Sequence, residues 1–89
     1  MIRYYLYILK CQDKTLYTGI AVDLKRRLGE HNDSKLGAKY TLARRPVKLV
    51  YAKKFRNRSL ASKEESRIKK MSREEKLKLI KQFCQTKLK

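Results

Sequence analysis

Four side chains in the first third of the chain have types and spacings suited to work on phosphate. Tyr7 and Tyr17 fall in two runs of strand-forming residues separated by the polar stretch Cys11-Gln12-Asp13-Lys14. A hairpin centred near Gln12 would set the two tyrosines opposite one another, and the alternation of strand side chains would then project both phenols from one face. Arg27 and His31 stand four residues apart after a capping Asp23, which puts them on one face of a short helix. A guanidinium offers a planar fork of donors that matches phosphate geometry. An imidazole, with a reference pKa of about 6.5, can relay a proton or bind phosphate near neutrality. Further along, Glu65 is an acidic residue in a helix rich in lysine and arginine, with Glu64 beside it as the alternative register.

The rest of the composition points to a polyanionic partner. The 89 residues include 25 Lys and Arg against 8 Asp and Glu, a formal net charge of +17, spread from Arg3 to Lys89. Such a field attracts nucleic acid and opposes its own compaction. Binding to a membrane surface would instead gather the basic residues on one amphipathic helix, and no apolar run approaches the length that spans a bilayer. Charge alone does not separate an enzyme from a non-catalytic nucleic-acid-binding module, because attraction to phosphate is independent of sequence. Cys11 and Cys84 lie far apart, with no CxxC pair and no secretory leader, so reduced thiols in a cytoplasmic protein are expected. A zinc centre would have to combine His31, the one histidine, with these distant thiols and a carboxylate, and none is expected.

The elements that must position these groups follow from periodicity. Tyr4 to Leu9 is apolar on both faces and reads as a strand buried in a sheet, and Thr15 to Thr18 as its hairpin partner, with Gly19 marking a bend or close backbone approach. A helix is predicted over 24–31 and a short helical turn over 38–43. A third strand follows over 47–54, in which Val47, Leu49 and Tyr51 alternate with their neighbours. Ser59 or Ser62 is the expected cap of the next helix, and Ser72-x-x-Glu75 is a capping box opening the last one, with Leu77 and Ile80 in its core stripe. The fold class is α+β, a small three-stranded, mainly antiparallel sheet flanked by helices in the order ββα-β-αα. One domain is read over residues 1–84, with a basic tail over 85–89 that frays.

Taken in order, these residues resemble the GIY-YIG nuclease superfamily. Tyr5-Leu6-Tyr7 and Tyr17-Thr18-Gly19 stand for its two tyrosine tripeptides, departing from the name-giving letters while keeping the tyrosines and the glycine. Arg27 follows Tyr17 by ten residues, where the family carries its arginine, and His31 follows one helical turn later. Glu65 ahead of Ile68-Lys69-Lys70 is similar to the glutamate of a small stand-alone bacterial branch, which also shows segments like Gly37 to Thr41 and Arg44 to Val47.

The resemblance implies an endonuclease that hydrolyses phosphodiester bonds with one Mg²⁺ or Mn²⁺ ion, on DNA in preference to RNA, in repair or recombination. It implies a catalytic set of Tyr7, Tyr17, Arg27, His31 and Glu65. Glu65 would hold the metal, Tyr7 would act as general base or position water, and Tyr17 would orient phosphate or nucleophile. Gly19 would allow close approach to the site, and Lys39 and Tyr40 would contact substrate. A monomer is expected, with a protein partner supplying specificity, since so small a module reads little nucleic-acid surface.

Overall fold

The computed structural model describes residues 3–33 and 43–87. Among them the order is β1 (Tyr4–Lys10), β2 (Leu16–Ala21), α1 (Leu24–Asp33), β3 (Lys48–Phe55), α2 (Arg58–Lys69) and α3 (Arg73–Lys87). This is the α+β architecture expected. The three strands form an antiparallel sheet in the order β2-β1-β3. Its central strand is the one whose apolar side chains face both ways. Leu6 to Leu9 are consecutively buried because each face of β1 is covered. On one face Leu6, Ile8 and Tyr51 pack with Ile68 of α2, with Leu79, Ile80 and Phe83 of α3 against them. On the other, Tyr7 and Leu9 join Cys11 and Val47, with Leu24 and Leu28 of α1 laid over them.

Several local expectations are corrected. The hairpin is centred on Asp13 rather than Gln12, so Tyr7 pairs with Gly19 and Leu9 with Tyr17. A shift of the centre by one residue moves every partner by two, so the tyrosines keep their common face but become diagonal neighbours. The turn that sets this register closes through Cys11 N to Thr15 O at 2.9 Å, while the Asp13 carboxylate accepts from the backbone and hydroxyl of Thr15. Lys14 takes the left-handed φ of 69° that the turn demands.

In β3 the pairing slips between Ile8–Tyr51 and Leu9–Leu49, leaving Val50 as the extra residue of a bulge. Val47 and Leu49 therefore pack beneath α1, while Tyr51 packs on the opposite face. Strict alternation would have put all three on one side. Finally, the cap of α2 is Asn57, whose side chain accepts from Leu60 N at 2.9 Å, not Ser59 or Ser62.

The capping box of α3 forms as read, Glu75 N donating to Ser72 Oγ at 3.2 Å and Ser72 N to Glu75 at 3.1 Å. Within α3, Ile80 packs inward but Leu77 is 42% exposed and its place in the core is taken by Leu79 and Phe83. The helix continues to Lys87, past the start of the tail expected to fray at Gln85. The turn predicted over 38–43, with Lys39 and Tyr40, lies almost wholly outside the described residues.

Candidate active site

The site grows from the helix-covered face of the hairpin. Gly19 sits across from Tyr7, and a Cβ added there would lie 2.5 Å from Tyr7 Oη and 2.7 Å from Cζ. The missing side chain makes room for a phenol folded across the neighbouring strand. Close approach was the reading made of Gly19 from sequence, and the group that approaches is Tyr7.

Helix α1 brings the next two groups. Asp23 caps it, accepting from Arg26 N at 3.0 Å, and Leu24 and Leu28 seat it on the sheet. Arg27 and His31 are thereby turned toward the tyrosines. His31 is completely buried, and its Nε2 lies 2.9 Å from Tyr7 Oη. Its ring stands edge-on to both phenols, with centroids 5.9 Å from Tyr7 and 5.2 Å from Tyr17; the two tyrosine rings are 6.4 Å apart.

Arg27 hydrogen-bonds the Tyr7 phenol and donates from Nη1 to Glu30 Oε1 at 2.9 Å. A guanidinium can only donate, so the phenol oxygen accepts from Arg27, while the direction of the Tyr7 Oη–His31 Nε2 bond follows the tautomer of the imidazole.

These surroundings set the protonation states. Burial pushes the Tyr7 phenol up to about 12, partly offset by Arg27. Burial, followed by the charge of Arg27, pushes His31 down to about 4. At neutral pH the pair is a neutral phenol and a neutral imidazole. At rest His31 is therefore a neutral imidazole, and transfer of the Tyr7 proton to it is strongly uphill.

Glu65 reaches the site from α2, which packs across β1 and β2. Its carboxylate is close enough for its charge to act on the Tyr7 phenol, and it pairs with Lys69 at 3.3 Å. Glu64 turns elsewhere. It forms a two-pronged pair with Arg67, at 2.7 and 2.6 Å, and its charge acts on Tyr51 of the opposite core. Of the adjacent glutamates, Glu65 is the one whose charge acts on Tyr7. Among the described residues no group of three or more His, Cys, Asp or Glu side chains could cage a metal.

Sequence reasoning missed three residues that hold this arrangement. Glu30 binds Arg27 and also accepts from Arg26 Nε at 3.2 Å. Its three- and four-residue spacing from these arginines was the available signal. Arg45 closes the end of α1, donating to the carbonyls of His31 at 2.6 Å and Glu30 at 3.1 Å. Asn32 clamps the chain before β3, donating to Val47 O at 3.0 Å and accepting from Val47 N at 2.7 Å. Nothing in the local sequence announces either long-range contact. Asn32→Ala strands both backbone groups of the buried Val47, so a loss of about 2 kcal/mol is expected in urea unfolding. Unchanged stability would show that the clamp contributes nothing.

A three-stranded antiparallel sheet whose hairpin tyrosines meet an arginine and a histidine of the following helix, with a glutamate close by, defines a recognisable class. The chain belongs to the GIY-YIG family: the GIY-YIG catalytic domain matches residues 3–78. Within it, the chain is 58% identical over 82 residues to a UPF0213 protein of Syntrophus aciditrophicus, covering 92% of this chain and 94% of the relative. The solution NMR structure of the protein EF2693 from E. faecalis superposes with a TM-score of 0.64 at 44% identity, covering 93% and 88% of the two chains. That of the UPF0213 protein BH0048 from Bacillus halodurans gives a TM-score of 0.59 at 39% identity, covering 90% and 84%.

Proposed function

We propose that this protein is a metal-dependent endonuclease acting on nucleic acid, DNA in preference to RNA, with Tyr7, Tyr17, Arg27, His31 and Glu65 as its site. The observation that carries the reading is the convergence of these five side chains, from β1, β2, α1 and α2, on a chain of net charge +17. A binding module needs the charge but not the buried Tyr7–His31 hydrogen bond.

The donor chemistry suits a hard cation. One carboxylate, Glu65, matches a Mg²⁺ or Mn²⁺ ion that keeps most of its waters and shares substrate phosphate oxygens. Such an ion, when bound, polarises the phosphate and lowers the pKa of water. The protein's own groups do the rest. Arg27, whose side chain is 29% exposed, presents donors to phosphate and offsets charge that develops on it in the transition state. Tyr17, half-buried beside His31, orients the phosphate or the attacking water. The Tyr7 phenol, held neutral, positions water through hydrogen bonding instead of acting as a resting base, and His31 fixes its direction. No helix among the described residues is long and apolar enough to cross a membrane.

The test is cleavage of supercoiled plasmid and of labelled single-stranded and branched oligonucleotides with Mg²⁺, Mn²⁺ or EDTA. Wild type should cut only with metal. Arg27→Ala should lower the rate about 10²- to 10³-fold, the usual cost of removing one donor to a developing anion, and Glu65→Gln should abolish metal-dependent cutting. Tight binding without cutting of any substrate, or full activity in both variants, would favour the non-catalytic binding module.

A further inference from the structure

The arginine assigned to phosphate is already held by a carboxylate. Glu30 Oε1 accepts from Arg27 Nη1 at 2.9 Å, and Oε2 accepts from Arg26 Nε at 3.2 Å, so one side chain spans two neighbouring guanidinium groups. The Glu30 side chain is only 16% exposed, against 74% for Arg26. Its backbone is fixed as well, since its carbonyl accepts from Arg45. Arg27 is thus bound on one side by Glu30 and on another by the Tyr7 phenol, which is itself tied to His31.

A carboxylate is an unexpected neighbour for the arginine cleft beside the site in so basic a chain. The residues lining this cleft include Arg26, Arg27 and Glu30, together with Asp23, whose carboxylate is engaged as the cap of α1. Glu30 is the carboxylate that grips the arginine from its own helix. If affinity for nucleic acid were the only requirement, a neutral residue would serve better, because the negative charge repels the substrate backbone. What the carboxylate supplies is direction. A guanidinium on a long side chain loses much rotamer freedom when fixed, and fixing it before substrate arrives removes that cost from the reaction.

We infer that Glu30 is a positioning residue that aims the Arg27 guanidinium at the reacting phosphate, at the expense of substrate affinity. The inference rests on the nuclease reading above. It predicts that binding and turnover move in opposite directions when Glu30 is changed, which loss of fold would not produce. Removing the carboxylate releases Arg26 and Arg27 to reach other phosphates, so binding tightens while the chemical step slows.

The experiment uses the full chain, with wild type, Glu30→Gln and Glu30→Ala, on the DNA oligonucleotide that wild type cuts. Affinity is measured in EDTA across a salt series, and kcat and KM are measured with Mg²⁺ or Mn²⁺. Glu30→Ala should lower kcat about tenfold or more while binding DNA several-fold more tightly, with a steeper dependence of affinity on salt. Glu30→Gln keeps an acceptor oxygen for Arg27 and should retain more of kcat than Glu30→Ala, while still binding more tightly than wild type. An unchanged kcat in both variants, or a fall in kcat accompanied by weaker binding and a lowered Tm, would overturn the inference. A wild type that does not cut at all refutes the nuclease reading instead. In that case the EDTA binding series still reports whether Glu30 restrains the two arginines, through the affinity and its salt slope.

Discussion

Gly19→Ala is expected to destabilise the protein by about 2 to 3 kcal/mol and to lower cleavage at least a hundredfold, although it adds one methyl group to a strand. Gly19 has no left-handed backbone angle, so the cost does not come from φ. It comes from space: the new Cβ would lie 2.5 Å from Tyr7 Oη, 2.7 Å from Tyr7 Cζ and 3.2 Å from a ring carbon of Tyr17. The Tyr7 ring is 2% exposed and bound to His31 and Arg27, so it cannot swing clear without breaking those bonds. Overpacking of this kind typically costs about 1 to 3 kcal/mol, and here it displaces the phenol around which the site is built. The check is a double-mutant cycle by urea unfolding. In a Tyr7→Leu background, where the ring is gone, the same alanine should cost little. An equal cost in both backgrounds would place the strain elsewhere.

The second large effect is on stability as the solution is acidified. His31 is held near 4 in the folded protein, against an ordinary value of 6.5. Between these values the unfolded chain binds a proton that the folded one refuses, so stability rises with pH through the window and is lost as pH falls from 6.5 toward 4. From pH 7 to pH 5 the loss should be about 2 kcal/mol, read from urea midpoints at constant ionic strength. Attribution is clean because the chain has one histidine, and the α-amino group titrates above the window. The depressed carboxylates, Asp13 with Thr15, Glu30 with Arg27 and Glu64 with Arg67, also stabilise the fold, but their contribution is lost only below the ordinary carboxylate range. A His31→Gln variant should show a flat profile between pH 7 and 5. A wild-type profile equally flat would mean that the imidazole is not buried neutral.

Much of this architecture was legible in the sequence because it depends on short-range pattern. A short run of aromatic and branched residues, apolar on both faces, reads as a covered strand, which is why β1 could be placed within the sheet rather than at its edge. Ser72 and Glu75 announce their own helix start, as Asp23 does. The tyrosine, arginine and histidine spacings converge because strand and helix periods are fixed by geometry.

What escaped the reading depends on contacts distant in sequence or on a single backbone angle. The left-handed Lys14 moves the hairpin centre, and the bulge at Val50 reverses the facing of residues that simple alternation would keep together. The electrical state of His31 was also hidden. Its residue type suggests a group that titrates near neutrality, whereas the two phenols and the sheet that enclose it remove the water that charge requires. The roles of Asn32 and Arg45 depend on residues 14 or more positions away and leave no local trace.

Those two residues also determine how the chain can vary. Asn32 grips Val47 and Arg45 grips the last turn of α1, so the path that leaves the helix is tied back to it before β3 begins. The chain can vary least at these two positions, because they hold the helix of Arg27 and His31 to the segment that enters β3.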